Sequence, residues 1–413
     1  MTEYDALPIF FGTDENAYGA SRMYFEATGK PGIIYGSAQL SPTESSKFCD
    51  VTIIPKLNTK EHFLDGIENI RQRFANHSGP IILLGMGDAY PPLIAHYYDQ
   101  LVDDFVIPYV SEPKINELIH KNSFYQIAQQ NGLYVPETST LDASGVNSAT
   151  SKYGYPVVLK ANDSVEWYKI DFRGRAKVYI IKNQKQLRRV LKKAYANGYT
   201  GDFSLQEYLG GTNVEYTMTA YVDHNKSVRA MALGQSIMED ITPFGIGNHN
   251  AIMPANNQAL FDQVRTFLEN INYHGFANID FTFDPKQDVF KAFEMNVRMG
   301  RSSYWANLNG VNWIKILLED YSSTSSYESN NILYNHFGES TGKIWLQVVP
   351  KLFKKFAVQT PEKETALKMI EQGKYGHGYF DPNDNSPERQ QALRTIEKEY
   401  RINYLRYGWQ FWR

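Results

Sequence analysis

FANIDFTFDPKQDVFKAFEMNVRMGR, residues 276–301, holds two segments rich in Phe, Ile and Val on either side of Asp284-Pro285-Lys286-Gln287-Asp288. Pro and Asp at the centre favour a turn, so the stretch is expected to be a β-hairpin. Side chains alternate along a strand, which places Glu294, Asn296 and Arg298 on one face. A five-residue loop would pair Phe283 with Val289 and leave Asp280 diagonal to Glu294, about 7 Å away. Phe281, Phe283, Phe293, Met295 and Val297 then cover the opposite face. Two carboxylates, a carboxamide oxygen and a guanidinium on one surface suit Mg²⁺ ions that bridge a polyphosphate. The plainer reading is a solvated amphipathic hairpin. It is the weaker one, because Asp and Asn are poor strand formers.

Upstream, Pro156-Val157-Val158-Leu159 reads as a buried strand that ends in Lys160. A buried ammonium without a partner is costly, so Lys160 is expected to meet an anion. Lys121, in a helix expected from about Lys114 to Asn131, can supply a second ammonium; alone, it reads as a surface lysine. Residues 161–177 are polar, with Ser164, Gly174, Arg173 and Arg175, and are expected to form a flap over phosphates. Gln206-Glu207-Tyr208-Leu209-Gly210-Gly211 ends another strand in a glycine turn. The Leu209 amide and the Tyr208 carbonyl there are placed to bind an adenine edge. Glu215 opens the next strand, within reach of ribose hydroxyls.

The bulk numbers agree with an enzyme of two or three domains: 413 residues, 42% hydrophobic and 21% charged. A net charge of −3 argues against a nucleic-acid partner. Cys49 is the only cysteine, which excludes an internal disulfide and fits a reducing, cytoplasmic setting. The N-terminus lacks the features of a secretory signal, and no apolar run reaches the ~18 residues of a membrane span. Apolar runs at Leu7–Phe11, Gly32–Tyr35, Val51–Ile54 and Ile81–Leu84 look like buried parallel strands, with a helix on Phe63, Ile67, Ile70 and Phe74 between them. No GxGxxG follows the first strand, which removes the dehydrogenase reading. Gly12, Asp14, Asn16 and Gly19 form either a ligand-facing turn or a plain helix cap. His249 lacks neighbouring ligands for zinc, and Cys49 lacks a histidine for thiol catalysis.

The order of these features, with KNSFYQIAQQNGLYVPET, LKANDSVEW, LQEYLGG, IGNHNAIMP, GFANIDFTFDP and FEMNVRMGRSSYWANLNG, resembles the ATP-grasp ligases from about Lys114 to Tyr321. Over its whole length, including GTDENAYGASR, the chain is similar to the bacterial D-aspartate ligases of peptidoglycan synthesis. The resemblance implies an α/β chain in three parts: an N-terminal doubly wound pre-ATP-grasp domain (1–112), an ATP-grasp domain of two subdomains (113–325) and a C-terminal tail packed on them (326–413). It implies ATP and two Mg²⁺ ions as cofactors. Lys121 and Lys160 would hold phosphates, with Glu207, Leu209 and Glu215 on adenosine. Asp280, Glu294 and Asn296 would bind metal. Arg298 would steady the transferring phosphoryl and the acyl phosphate, with Lys160 assisting. Gly300, Arg301, Ser302 and Ser303 would face substrate. The implied substrates are D-aspartate, through its β-carboxylate, and the lysine amine of UDP-MurNAc-pentapeptide. The flap here holds few glycines, so its arginines stand where relatives use backbone amides. A different ATP-grasp carboxylate–amine ligase is the nearest alternative, and a non-catalytic ATP-binding regulator the next. Trp345, Trp409 and Trp412 are expected to pack the tail, with a homodimer or membrane-surface contact for YLRYGWQFWR as the lesser reading.

Overall fold

The computed structural model describes residues 4–162, 164–176, 178–210, 215–242, 245, 247–323 and 331–408, without the side chains of Ser164, Val165 and Tyr168. Lys177, Gly211, Trp409, Trp412 and the Ser164 side chain, singled out above, therefore lie outside the described residues.

The first apolar runs form β1 (Leu7–Phe11), β2 (Gly32–Gly36), β3 (Cys49–Ile53) and β4 (Ile81–Gly85). They make a parallel sheet in the order β3-β2-β1-β4. The order reverses between β1 and β4, and the edge beyond their C-terminal ends carries Gly12 to Asp14 and Met86 to Asp88. In an open α/β sheet such an edge collects ligands. Asp14 caps the helix Glu15–Thr28, accepting from the amides of Asn16 and Ala17. Gly12 turns the chain there at φ +123°, a conformation open to glycine.

A small antiparallel sheet comprises β5 (Thr138–Leu141), β6 (Val157–Ala161), β7 (Val178–Ile181) and β8 (Phe203–Glu207), ordered β5-β8-β6-β7. Leu187, Val190, Leu191 and Ala194 of the helix Gln184–Ala196 recur at helical spacing and close its core with Trp167. The large sheet is built on β9 (Glu215–Val222), β10 (Val228–Glu239), β11 (His249–Ala255), β12 (Gly275–Asp284) and β13 (Val289–Asn296). Its order is β13-β12-β9-β10-β11, continued by two strands from the C-terminal segment. Met218, Ala220 and Val222 alternate toward a core that includes the helix Gln258–Asn270, while Tyr221 faces Trp313 and the N-terminal helix.

The segment after residue 330, expected as a mixed tail, adds β14 (Leu333–Tyr334), β15 (Ile344–Leu346) and β16 (Tyr375–His377) to this sheet. Trp345 is buried within β15. A long helix, Pro387–Tyr407, ends the described chain. Among the described residues, no helix is long and apolar enough to cross a membrane.

Two local expectations need correction. The single helix from Lys114 to Asn131 is two, Glu112–Ile119 and Lys121–Gln130, broken at His120 with ψ 122°. Ser123 Oγ lies 2.6 Å from Glu117 O and 2.9 Å from His120 O, and a hydroxyl there satisfies carbonyls at the break. Lys121 thereby opens the second helix, and Ile119 turns out of the apolar face to 38% exposure. The hairpin expected to bind metal also closes differently. Asp284 pairs with Val289, which leaves Pro285–Asp288 as the turn, with Asp288 at φ +55°. A bulge then shifts the register between Asp280 and Phe281: Phe281 pairs with Ala292 and Asp280 pairs with Glu294. Asp280 and Glu294 are thus directly opposite rather than diagonal. Phe293, the extra residue, lines the cleft instead of the core.

Candidate active site

The small sheet, one end of the large sheet, the N-terminal edge and part of the C-terminal segment enclose a cleft of about 1520 Å³. β6 delivers Lys160 and the break at His120 delivers Lys121 to its wall. Burial, reinforced by the neighbouring Lys121 charge and opposed by Glu294 and Glu215, pushes the Lys160 ammonium down to about 7. Lys160 Nζ lies 5.6 Å from the centre of the Phe293 ring. Lys121 Nζ is 3.8 Å from Glu294 Oε2. Two ammonium groups at one end of a cleft create a ready site for polyanions.

Glu207, Tyr208, Leu209 and Gly210 line the cleft beyond β8. The Glu207 carboxylate is already engaged: it accepts from Lys291 Nζ at 2.7 Å and from the Glu137 amide at 2.9 Å. Lys291 is almost fully buried and also holds Asp284 at 3.0 Å. Glu215, at the start of β9, meets Glu239 at the end of β10. Burial first, then the adjoining Glu239 carboxylate, pushes the Glu215 carboxyl up, and burial raises Glu239 as well.

Glu294, Asn296 and Arg298 line the cleft together. Asp280 is set back from this wall, its side chain 16% exposed, with Asn278 Nδ2 at 3.4 Å and His249 Nε2 at 3.9 Å. His249 Nδ1 is buried and without a hydrogen-bond partner. Among the described residues no three His, Cys, Asp or Glu side chains are grouped for a metal ion. Asp280, Glu294 and Asn296 offer two carboxylates and a carboxamide, the hard oxygen donors that Mg²⁺ takes while keeping several waters.

The N-terminal edge joins the site through charge pairs. Arg298 Nε donates to Asp88 Oδ1 at 2.7 Å and Nη1 to Met299 O at 2.8 Å. Asn16 Nδ2 donates to Met86 O and Met299 O, which docks this edge on the loop after β13. Asp14 is partly buried, and its carboxyl is pushed up by loss of water around it and by Glu15. Gly300 to Ser303 lie against the same edge. Arg301 pairs with Glu15, which also accepts from Tyr379 Oη at 2.6 Å; Ser302 and Ser303 are buried, and Ser303 Oγ is 3.4 Å from Asn16 Oδ1. Burial raises the Glu15 carboxyl, but the Arg301 guanidinium outweighs it and holds it below its ordinary value. In the flap, Arg175 Nη1 donates to Trp167 O at 3.1 Å and to Ile170 O, so it braces the flap itself. Arg173 is exposed. Burial pushes the Cys49 thiol up to about 12, unsuited to a nucleophile.

No protein-family model matches the chain. It is 32% identical, over 97% of its length and 96% of the relative's, to a D-aspartate ligase of Enterococcus faecium (strain Aus0004). The chain belongs to the D-aspartate ligase family. Solved structures show the same ATP-grasp fold. An L-amino acid ligase from Bacillus licheniformis has TM-score 0.53 at 15% identity, over 78% of this chain and 75% of that one. A biotin carboxylase from Campylobacter jejuni has TM-score 0.56 at 18% identity, over 80% of this chain and 72% of that one. The chain is therefore an ADP-forming carbon–nitrogen ligase of amino acids, with the α/β ATP-grasp architecture.

The ligase cleft also contains residues that sequence reasoning missed. Glu239 sits at the end of a long apolar strand, where nothing in its spacing points to Glu215. Asp88 lies in a loop whose position emerges only from strand order. Phe356, Ala357, Val358 and Tyr404 reach the cleft from the C-terminal segment. Tyr404 Oη donates to Glu239 O at 2.8 Å and accepts from Asn250 Nδ2 at 2.8 Å. The aromatic run near the C-terminus was the available signal for this contact.

Proposed function

We propose that this ligase activates the β-carboxylate of D-aspartate with ATP and joins it to the lysine side-chain amine of UDP-MurNAc-pentapeptide. The observation that carries the reading is the convergence of Lys121, Lys160, Glu294, Asn296 and Arg298 on one cleft. The near-complete alignment with a D-aspartate ligase supports the choice of acid.

In this reading, Lys121 and Lys160 hold the phosphates, and the Leu209 amide and Tyr208 carbonyl hold adenine. Glu215, at the start of β9 on the cleft wall, binds ribose hydroxyls. Glu207 contributes through the backbone of its strand, since Lys291 and Glu137 use its carboxylate. A β-carboxylate oxygen attacks the γ-phosphorus, the bond to the ADP oxygen breaks, and an acyl phosphate forms. Arg298 faces the negative charge on the transferring group, and Lys160 neutralises part of it. The amine nitrogen then attacks the acyl carbon, the C–N bond forms, and phosphate leaves as the nitrogen loses a proton. Asp280, Glu294 and Asn296 would hold Mg²⁺, two ions in this reading, which supplies further charge neutralisation at the phosphoryl group. Gly300 to Ser303, which pack on the N-terminal edge rather than line the cleft, would act by holding the neighbouring Arg298 in place, and the flap expected over residues 161–177 would keep water from the anhydride.

ADP release with D- and L-aspartate, with and without the precursor, tests the reading. D-aspartate and precursor together are expected to give the highest rate. Release with a different amino acid alone would leave the ligase chemistry standing and overturn the substrate.

A further inference from the structure

The Arg298 guanidinium is 13% exposed and its partner Asp88 is 80% exposed. Nε and Nη2 of Arg298 both converge on Oδ1 of Asp88, at 2.7 and 2.5 Å. This Nε–Nη2 edge is the fork that fits two oxygens of a carboxylate or phosphoryl group in parallel. Asp88 gives it only one. The guanidinium does not need Asp88 for its orientation, because Nη1 is tied to Met299 O. Asp88 stands on the loop after β4, at the sheet edge that faces the cleft, and both residues line that cleft.

We propose that Asp88 is a displaceable counter-ion that occupies the anion position of Arg298 until the acidic substrate or its acyl phosphate takes it. The proposal rests on the reading above in one respect, that the acid binds at Arg298. Asp88 is the carboxylate bonded directly to this mostly buried guanidinium, and Asp14 is also near enough to feel its charge. Release of Asp88 is easy, because a carboxylate largely in water gains little from an ion pair. An acid that presents two oxygens to the fork replaces a one-oxygen contact with a two-oxygen one. Asp88 therefore competes with substrate rather than helping to bind it. This competition makes the N-terminal sheet edge a determinant of apparent affinity for the acid.

The test compares wild type, Asp88→Asn and Asp88→Glu. Two readouts are used: ADP release against D- or L-aspartate concentration, and calorimetric binding of D-aspartate and of succinate, which requires no turnover. Loss of the competing charge in Asp88→Asn should lower KM and the acid's Kd by about two- to fivefold, with kcat within about twofold. Asp88→Glu, which keeps the carboxylate, should stay near wild type. Unchanged or weaker acid binding in Asp88→Asn overturns the proposal, as does a fall in kcat at constant KM, which would make Asp88 a positioning residue. If wild type binds succinate or L-aspartate but does not turn over D-aspartate, the substrate reading fails and the Asp88 comparison is still read from binding. If no acid binds any of the three proteins, the proposal falls.

Discussion

Asp280 and Glu294 face each other directly across the β12–β13 ladder, in a register set by the bulge between Asp280 and Phe281. The pairing puts the two acidic residues at the same level of the ladder, with Glu294 on the cleft wall beside Lys121 and Asp280 set back from it. Glu294→Gln keeps the shape and removes one charge. Its side chain is 40% exposed, so folding should be spared, with stability within about 0.5 kcal/mol of wild type. ADP formation should fall by about a hundredfold or more, on the scale of losing one charge-stabilising group in a transition state. Thermal unfolding and an ADP-release assay check both halves. Full activity would remove Glu294 from the metal assignment.

Lys160 gives the site a pH signature. Its ordinary value is 10.5, and burial followed by the nearby Lys121 charge brings it to about 7. Between these values the unfolded chain binds more protons at this position than the native one. The contribution of Lys160 to stability is therefore complete above 10.5 and is lost as pH falls toward 7. A bound triphosphate favours the charged ammonium and raises its pKa again. ATP binding at pH 8 should then take up protons, and affinity should decline as pH rises from 7. Calorimetry in buffers of different ionisation enthalpy measures the uptake, and Lys160→Met should abolish most of it. Binding without proton exchange in wild type would contradict the shift.

Much of this site was legible in the sequence. Strand alternation placed Glu294, Asn296 and Arg298 together, and a lysine at the end of an apolar run marked Lys160. The misread features share a physical cause: they depend on which backbone groups find partners, and residue patterning records that poorly. The bulge at Phe293 leaves the hydrophobic alternation intact on either side, so a regular ladder fits the sequence equally well. The break at His120 carries no Pro or Gly to announce it and is held by Ser123 and Asn116. β14 to β16 are two or three residues long, too short to show a period. Asp88 and Glu239 became visible only when tertiary structure brought distant loops and strands together.

Gly300 is required by a close approach. A Cβ there would stand 2.3 Å from Asn278 Oδ1. Asn278 Oδ1 accepts from Thr219 at 2.9 Å and Thr217 at 3.3 Å, and its Nδ2 reaches Asp280. Gly300→Ala should push Asn278 out of this network and cost about 1–3 kcal/mol, the usual price of overpacking. Because Asn278 contacts Asp280, kcat should fall as well. Urea denaturation and ADP release give the two numbers. A stable, fully active variant would show that the loop shifts without disturbing Asn278.

Lys291 ties β8, which ends at Glu207, to β13, the strand that carries Glu294. Its side chain is 4% exposed, with Glu207 at 2.7 Å and Asp284 at 3.0 Å. Lys291→Met leaves two carboxylates facing each other without their cation and should destabilise the protein by about 3–5 kcal/mol. Burial raises the Asp284 carboxyl, but hydrogen bonding and attraction from Lys291 outweigh it and hold it below its ordinary 3.8. In wild type this contribution to stability is present above 3.8 and is lost as pH falls through the lowered native value. Lys291→Met should lose that acid-side dependence. It should also raise the KM for ATP more than that for the amino acid, since Glu207 precedes Tyr208 and Leu209. Adding Glu207→Gln and Asp284→Asn should restore part of the stability by removing the uncompensated charge. A triple variant as unstable as Lys291→Met would locate the loss in packing of the lysine stem rather than in the charge triad.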